Sequence, residues 1–178
     1  KMFVLNRDDS KYDIFSEFSA DKKWTYSRRK MSDVQSQDVR SSTKGIQFRL
    51  RVPNNEVQIS TPFIGEHNLE NTLASIATVM SCGIALEKIQ ELLSRHPGVP
   101  SRLERIEQGQ EFDVIVDYTY KPSALRAVLK TLKDVTQGRF IVVWGGAGGR
   151  SPENWQESGS LLDNFADEIV LTTDDPYD

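Results

Sequence analysis

The 178-residue chain carries 22 basic and 26 acidic side chains, which give it a formal charge of −4 at neutral pH. This balance provides no long-range attraction to nucleic acid or to anionic lipid, so neither a nucleic acid nor a membrane is an expected partner. The single cysteine, Cys82, excludes an internal disulfide bond. No apolar run approaches the roughly 20 residues that span a bilayer, and the amino terminus lacks the pattern of a signal peptide. We therefore expect a cytoplasmic protein.

The first half of the chain combines strand and helix patterns. Met2–Asn6 is a short apolar run typical of a buried strand. Such a strand needs partners on both sides, which predicts further sequence before Lys1. Across 22–62 apolar and polar residues alternate, which predicts an antiparallel meander. Helical spacing then predicts one helix over 68–82 and a second over 86–95.

A segment rich in proline and glycine, His96–Pro100, predicts a domain boundary between residues 1–98 and 99–178. Beyond it we predict strands at Leu103–Ile106, Phe112–Val116, Phe140–Trp144 and Glu168–Leu171, and helices at Ser123–Leu132 and through Leu161 to Phe165. Alternating strands and helices favour a mainly parallel, Rossmann-like sheet, whose ligands gather at the carboxyl ends of the strands. The fold class expected for the chain is α/β.

Several polar residues stand at positions suited to binding. Asn68 and Asn71 are three residues apart, hence on one helical face, near the start of the predicted helix. Judged by position alone, Asn68 is best interpreted as an N-cap residue. Asp117 follows the apolar strand Val114–Val116, which places its carboxylate at the expected ligand-bearing edge of the sheet. Arg102, judged alone, would be a solvated surface residue.

Two further segments could carry chemistry. Gly145–Arg150 is a glycine-rich turn between a predicted strand and a predicted helix, a setting in which backbone N–H groups can hold an anion. It is not a Walker loop, because the lysine and the hydroxyl residue of that motif are absent. Asp8 and Asp9 form a carboxylate pair after the first strand, and we interpret them as solvated strand-end residues. No spacing of histidine, cysteine and carboxylate residues predicts a metal site.

Three segments, in this order and spacing, resemble the Mur ligase family where its central ATPase domain meets its C-terminal domain. They are Gly65–Asn71, Ser101–Glu104 and Val116–Pro122. The third-residue-adding branch, which acts on UDP-N-acetylmuramoyl-dipeptide, is the most similar. The resemblance implies that residues 1–98 end the central ATP-binding domain and that residues 99–178 begin a C-terminal domain that is incomplete here.

The resemblance also implies roles for the polar residues in binding ATP. Asn71, with Asn68 beside it, would contact adenine through a carboxamide that both donates and accepts hydrogen bonds. Arg102 would bind the nucleotide phosphates, as a bidentate and permanently charged guanidinium can. Asp117 would accept hydrogen bonds from the ribose hydroxyls. Tyr120 stands where the family has a histidine and is counted with these nucleotide-binding residues, while the role of the family imidazole in proton handling or nucleotide contact is left open.

For the amino-acid substrate, the resemblance implies two segments. Arg150 matches an arginine that follows the glycine-rich loop of the third-residue-adding ligases and would bind a carboxylate; a turn that merely caps a helix is the alternative. Asp174 and Asp175 match a segment that recognises the incoming amino acid. Tyr177 stands where the diaminopimelate-adding members have arginine, and a tyrosine cannot pair with a carboxylate in that way, which leaves lysine as an open possibility.

The reaction implied by the resemblance is ATP-dependent amide formation through an acyl phosphate, in peptidoglycan precursor synthesis. The substrates would be ATP, a UDP-N-acetylmuramoyl-peptide and an amino acid, with Mg²⁺ as cofactor. The phosphate-binding loop, the magnesium ligands and the catalytic residues are expected upstream of Lys1, so the chain alone is expected to be inactive. Two alternatives remain open: another amide ligase of the superfamily, such as a folylpolyglutamate synthase, and a non-catalytic nucleotide- or sugar-binding module.

Overall fold

The computed structural model describes residues 1–147 and 152–174. Two compact units divide the chain, Lys1–Gly98 and Val99–Asp178. Within the described residues, no helix combines the length and the apolar character that crossing a membrane requires.

The first unit contains a five-stranded sheet and three helices. Its strands are β1 (Met2–Asn6), β2 (Lys22–Ser27), β3 (Val34–Ser42), β4 (Gly45–Val52) and β5 (Asn55–Thr61), and its helices are α1 (Tyr12–Ser16), α2 (Glu66–Ser81) and α3 (Leu86–Ser94). The strands lie side by side in chain order. β1, β2 and β3 run parallel, whereas β3, β4 and β5 run antiparallel.

The prediction of a meander over residues 22–62 is confirmed for β3 to β5 and wrong for β2. A period-two pattern reports which side chains face the core, but it carries no information on strand direction. β1 and β2 are joined through the short helix α1, which the sequence reasoning missed, and such a crossover connection produces a parallel pair. The unit therefore has carboxyl ends of parallel strands at one edge of the sheet.

The core of the first unit lies between the sheet and helices α2 and α3. Along β4, Ile46, Phe48, Leu50 and Val52 are buried while Gln47 and Arg49 between them are not, as the alternation predicts. Apolar residues of the two helices cover this face of the sheet: Leu69, Leu73, Ile76, Ala77, Leu86 and Ile89.

In the described part of the second unit, residues 99–147 and 152–174, there are two pairs of strands and two helices. Its described elements are β6 (Glu104–Ile106), β7 (Val114–Val116), α4 (Pro122–Val135), β8 (Ile141–Ala147), α5 (Pro152–Phe165) and β9 (Glu168–Asp174). β8 and β9 are parallel, as expected. β6 and β7 form an antiparallel pair, so the expectation that β7 joins a parallel sheet is not met among the described residues. Leu125, Leu129, Phe140, Leu161 and Leu162 form the core.

Candidate functional site

Helix α2 starts with a glycine rather than with Asn68. Gly65 is the N-cap residue, with φ of 91° and ψ of 151°, a conformation that residues with a Cβ rarely adopt. Asn68 is the third helical residue, and its Nδ2 donates to the carbonyl oxygen of Ile64 at 2.8 Å. The N-cap interpretation of Asn68 is therefore wrong, because the positive φ of Gly65 begins the helix earlier. The Asn68 carboxamide instead secures the segment that leads into the helix.

The two asparagines of α2 face different surroundings. Asn68 is 8% exposed, whereas Asn71, one turn further along, is exposed. Both positions are near the amino-terminal end of the helix, but only Asn71 presents its carboxamide to solvent. A carboxamide in that position can donate and accept along the edge of a planar ligand.

The carboxyl ends of β1 and β2 are joined by a hydrogen-bonded cluster. Asp8 Oδ1 accepts from Ser27 Oγ at 2.7 Å, and Asp8 Oδ2 accepts from the backbone N–H of Arg28 at 2.7 Å. Ser27 Oγ in turn accepts from the N–H groups of Arg29 and Lys30. Burial alone would raise the pKa of Asp8, but these hydrogen bonds outweigh it and hold the pKa below its usual value. Asp8 is thus a structural carboxylate and not a solvated one.

Arg28 connects this cluster to helix α2. Its Nη2 lies 2.7 Å from Glu66 Oε1, and its Nη1 lies 2.9 Å from Glu70 Oε1. The Arg28 side chain is only 15% exposed. Burial would lower the pKa of Arg28, but the hydrogen bonds to Glu66 and Glu70 raise it overall. The guanidinium therefore remains charged and spans one turn of the helix.

The loop before β6 places Leu103 inside and Arg102 outside. Ser101 and Leu103 both have positive φ, 56° and 50°, which is uncommon for residues other than glycine. The N–H of Ser101 donates to Glu104 Oε2 at 2.8 Å, and Leu103 is 3% exposed. Arg102 is exposed, and within residues 1–147 and 152–174 it forms no ion pair. The Ser-Arg-Leu-Glu segment is thus a built loop that displays a guanidinium.

Asp117 lies next to this loop. Its Oδ2 accepts from the N–H of Leu103 at 2.8 Å, and its Oδ1 accepts from Thr119 Oγ1. The N–H of Tyr118 donates to the Ser101 carbonyl oxygen at 2.8 Å. The structure therefore brings Asp117 and the Arg102 loop together. Both carboxylate oxygens of Asp117 have partners within the chain, which the sequence did not indicate.

Tyr120 follows Asp117 in a cluster of aromatic residues. Its ring centroid lies 5.9 Å from that of Tyr118, with the rings close to perpendicular. The Nζ of Lys121 lies 6.0 Å from the Tyr120 ring centroid. Pro122 then begins α4 at its first position. The phenol thus takes part in an aromatic and cationic surface beside Asp117.

Asp174, one of the residues predicted to bind the amino acid, is the last residue of β9. Strands β8 and β9 pair through Ala147 and Asp174, so both end at the same edge. β8 extends through Gly145 and Gly146, which the sequence placed in a turn. Trp155 packs against Gly146, where a Cβ would lie 3.2 Å from the indole. Arg150 and Asp175 lie outside the described residues, as does Tyr177.

Metal ligation has no support among the described residues. In residues 1–147 and 152–174, no group of three or more histidine, cysteine, aspartate or glutamate side chains is arranged to hold an ion. Both carboxylate oxygens of Asp8 accept hydrogen bonds from Ser27 and Arg28 at the end of β2. The His96 ring lies against the Phe63 ring in a tilted arrangement, with a centroid distance of 5.0 Å. These residues do not form a magnesium site, and no step through magnesium is assigned to them.

Sequence reasoning missed the Asp8, Ser27 and Arg28 cluster and the partners Glu66 and Glu70. The Asp8–Asp9 pair after a strand was a signal of it, but its interpretation needed the parallel pairing of β1 with β2. The spacing of Glu66 and Glu70, four residues apart on a helix, was a second signal, because a cation between like charges at that spacing relieves their repulsion.

Two family models match the chain. The family model "Mur ligase middle domain" matches residues 1–79, and the model "Mur ligase, glutamate ligase domain" matches residues 101–178. The chain therefore belongs to the Mur ligase family.

Individual relatives place the chain more closely. The UDP-N-acetylmuramyl-tripeptide synthetase of Roseiflexus sp. (strain RS-1) is 33% identical over 178 residues, covering 99% of this chain and 35% of the relative. A solved UDP-N-acetylmuramoyl-L-alanyl-D-glutamate–2,6-diaminopimelate ligase superposes with a TM-score of 0.75 and 27% identity, covering 99% of this chain and 37% of that one.

The structure of MurF ligase from Thermotoga maritima in complex with ADP shares the fold, with a TM-score of 0.69 and 20% identity over 96% of this chain and 39% of that one. The chain spans about a third of the length of the curated relatives it matches, 35% in the Roseiflexus case.

Proposed function

We propose that this chain is the part of an ATP-dependent amide ligase that contacts the nucleotide and part of the amino-acid substrate. The observation that carries the proposal is the Ser101–Glu104 loop. Ser101 and Leu103 have positive φ, and the Leu103 side chain is buried. The carboxylates of Glu104 and Asp117 accept hydrogen bonds from the N–H groups of Ser101 and Leu103, so the loop is fixed with Arg102 facing outward. A loop in such an uncommon conformation supports a binding role for the side chain that it presents.

Each nucleotide-binding residue would act through an ordinary interaction. Asn71 would donate to and accept from the edge of adenine, while Asn68 holds the helix start from beneath. Arg102 would neutralise phosphate charge with two parallel N–H donors. Bound ATP supplies the phosphoryl group that activates a substrate carboxylate as an acyl phosphate.

Asp117 would bind the ribose hydroxyls only if it exchanges a present partner. The hydrogen bond from Thr119 Oγ1 is the easier of the two to break, because a hydroxyl can rotate to another acceptor. The Leu103 N–H cannot rotate away, because it belongs to the backbone. Tyr120, beside it, would provide an aromatic surface in place of the family histidine.

The amino-acid substrate would bind beyond the ends of β8 and β9, through Arg150, Asp174 and Asp175. The parallel register supports this proposal, because it brings the two strand ends that precede these residues to one edge. Since Tyr177 replaces the arginine of the diaminopimelate-adding members, we infer an amino acid other than diaminopimelate, with lysine as a candidate.

The remaining components of the reaction lie outside this chain in the proposal. A segment encoded upstream would supply the phosphate-binding loop, the Mg²⁺ ligands and the catalytic residues, and UDP-N-acetylmuramoyl-peptide would be the acceptor. The assembled enzyme would act in the cytoplasm, in peptidoglycan precursor synthesis, and so in cell shape and division. A folylpolyglutamate synthase-like ligase would use the same nucleotide residues with another acceptor, and a binding module would hold a nucleotide or sugar without turnover.

The test measures ADP release by the full-length protein that contains these residues, with UDP-N-acetylmuramoyl-dipeptide and an amino acid. We expect Arg102→Gln to lower kcat/KM for ATP by about 100-fold, the range seen when one donor to a developing charge is removed. Arg95→Gln is the matched control, because Arg95 is exposed and pairs only with Glu91 on its own helix. The 178-residue chain alone should not turn over.

Each contrary result has its own meaning. An Arg102→Gln enzyme with unchanged kcat/KM would overturn the phosphate role of Arg102. Turnover by the 178-residue chain alone would overturn the division of labour with an upstream segment. Glutamylation of a folate acceptor in place of the muramoyl peptide would favour the first alternative. Nucleotide binding by the full-length protein with no acceptor-dependent ADP release would favour the non-catalytic binding module.

A further inference from the structure

We propose that Arg28 is a positioning residue for nucleotide recognition, which acts through helix α2 on Asn71. The inference rests on the proposed adenine role of Asn71. Arg28 follows β2 and belongs to none of the segments that resemble the family motifs. It does not need to touch the nucleotide, because its two partners lie in the first five residues of α2, immediately before Asn71.

The start of α2 lacks the usual side-chain cap. Gly65 has no side chain, and no side-chain cap hydrogen bond forms at this end of the helix. Glu66 and Glu70 then stand four residues apart, where like charges repel on a helix. An isolated helix with this sequence would begin poorly, so its first turns depend on contacts from outside the helix.

Arg28 supplies that contact with a single guanidinium. It reaches Glu66 at 2.7 Å and Glu70 at 2.9 Å, and thereby converts a repulsion into a bridge along the first turn. The Arg28 side chain is 15% exposed, while those of Glu66 and Glu70 are 73% and 39% exposed. The partly buried cation is therefore the anchored partner, and the two carboxylates of the helix are held to it.

The anchor is rigid because the backbone of Arg28 is itself fixed. Its N–H donates to Asp8 Oδ2 at 2.7 Å, and Ser27, which donates to the other oxygen of Asp8, is fully buried. The connection runs from the end of β1 through the end of β2 to α2. Asn71 directly follows Glu70, so the position of its carboxamide depends on the position of Glu70.

The test compares variants in the full-length ligase by steady-state kinetics with ATP and with GTP. We expect Arg28→Met to raise the KM for ATP about tenfold with kcat nearly unchanged, since an atom displaced by an ångström weakens a directional contact severely. The preference for ATP over GTP should fall by a similar factor, because only the adenine contact depends on Asn71. Arg28→Lys should retain part of the ATP preference and show a smaller rise in KM, since a lysine can pair with one carboxylate but cannot bridge both in a fork.

Arg49→Met is the matched control. Arg49 also forms two ion pairs, with Asp38 and Glu56, but its side chain is 45% exposed and it lies on β4. Its loss should leave both KM values and the ATP preference unchanged. Should Arg28→Met fail to fold, Glu70→Gln removes one arm of the bridge from the exposed side and should lower the ATP preference in the same direction.

A double-mutant cycle separates this inference from the proposed function. In an Asn71→Ala background, Arg28→Met should change the ATP preference by less than about twofold, because the group that it positions is gone. If Asn71→Ala alone leaves the KM for ATP unchanged, the adenine role of Asn71 is wrong. If Asn71→Ala raises that KM while Arg28→Met and Glu70→Gln do not, the positioning role of Arg28 is wrong.

Discussion

A carboxylate at the end of a strand can be solvated, can bind a ligand, or can hold its own backbone in place. Asp8 holds the backbone, because one oxygen accepts from Ser27 and the other from the Arg28 N–H. Asp117 does the same for the Leu103 N–H in the second unit. In both cases the acidic residue fixes the backbone of a loop that contains basic residues.

The lowered pKa of Asp8 makes stability depend on pH. The pKa of Asp8 in the folded state lies below the unfolded value of about 3.9, so the unfolded state takes up its proton at a higher pH than the folded state does. The free energy of unfolding therefore falls as the pH is lowered from the unfolded pKa to the folded pKa. Asp8→Asn should cost about 1.5 kcal/mol at neutral pH, the low end for hydrogen bonds to a charged group. The difference between wild type and variant should vanish at low pH.

Urea unfolding between about pH 3 and pH 7 measures this difference, over a range that brackets the unfolded aspartate pKa. Asp9→Asn is the control, because Asp9 is exposed and its side chain accepts a hydrogen bond from the Lys11 N–H, which an amide oxygen can accept as well. A pH-independent gap between wild type and Asp8→Asn would show that the carboxylate charge does not contribute to stability.

The candidate site was predictable from sequence only as far as residue type and order. Asn71 and Arg102 are exposed, which is compatible with the roles that the resemblance implies. Asn68 was misread because a glycine with positive φ moved the helix start. The two partners of Asp117 come from a loop 14 residues earlier and from Thr119, and no local pattern encodes such a pairing.

At the scale of elements, the patterns that depend on near neighbours in sequence gave correct helices and strands. The alternation along β4 is an example, because burial of one face sets the period. Met2–Asn6 is a strand as predicted, but its residues are exposed or half-buried rather than buried. Strand direction failed at β2, and the pairing of β7 with β6 was also not foreseen. Strand direction and strand pairing both depend on contacts between segments that are distant in sequence. The period of apolar residues within one strand carries no information on those contacts.

Gly45 shows how a single backbone position can determine a hairpin. It begins β4 with φ of 131°, and a Cβ there would lie 2.1 Å from the carbonyl oxygen of Thr61. Gly45→Ala must push β4 away from the end of β5, so we expect a loss of at least about 2 kcal/mol. Gly83→Ala is the control, since Gly83 has φ of 87° with nothing within 4 Å of its Cβ position.

The control should cost about 1 kcal/mol, because only the backbone penalty remains. Urea unfolding of both variants gives the two free energies. Equal losses for Gly45→Ala and Gly83→Ala would mean that β4 and β5 adjust without cost, and that the close approach at Thr61 does not constrain the hairpin.

At the scale of the whole molecule, two separate cores follow from the division into two units. The core of the first contains Phe48 and the face of α2, whereas the core of the second joins α4 and α5 with β8 through Leu129. A hydrophobic core of its own is what characterises a domain that could in principle fold alone.

This organisation predicts that a cavity in one core destabilises only the unit that contains it. Phe48 is fully buried and Leu129 is 2% exposed, so replacing either with alanine should cost about 2 to 5 kcal/mol locally. Hydrogen exchange followed by mass spectrometry should show faster exchange in β3 to β5 and α2 for Phe48→Ala, and in α4 and α5 for Leu129→Ala. Phe18→Ala, at a 56% exposed position, should change neither. Equal loss of protection in both units from either core substitution would mean that the two cores unfold as one, because separate cooperative units open independently.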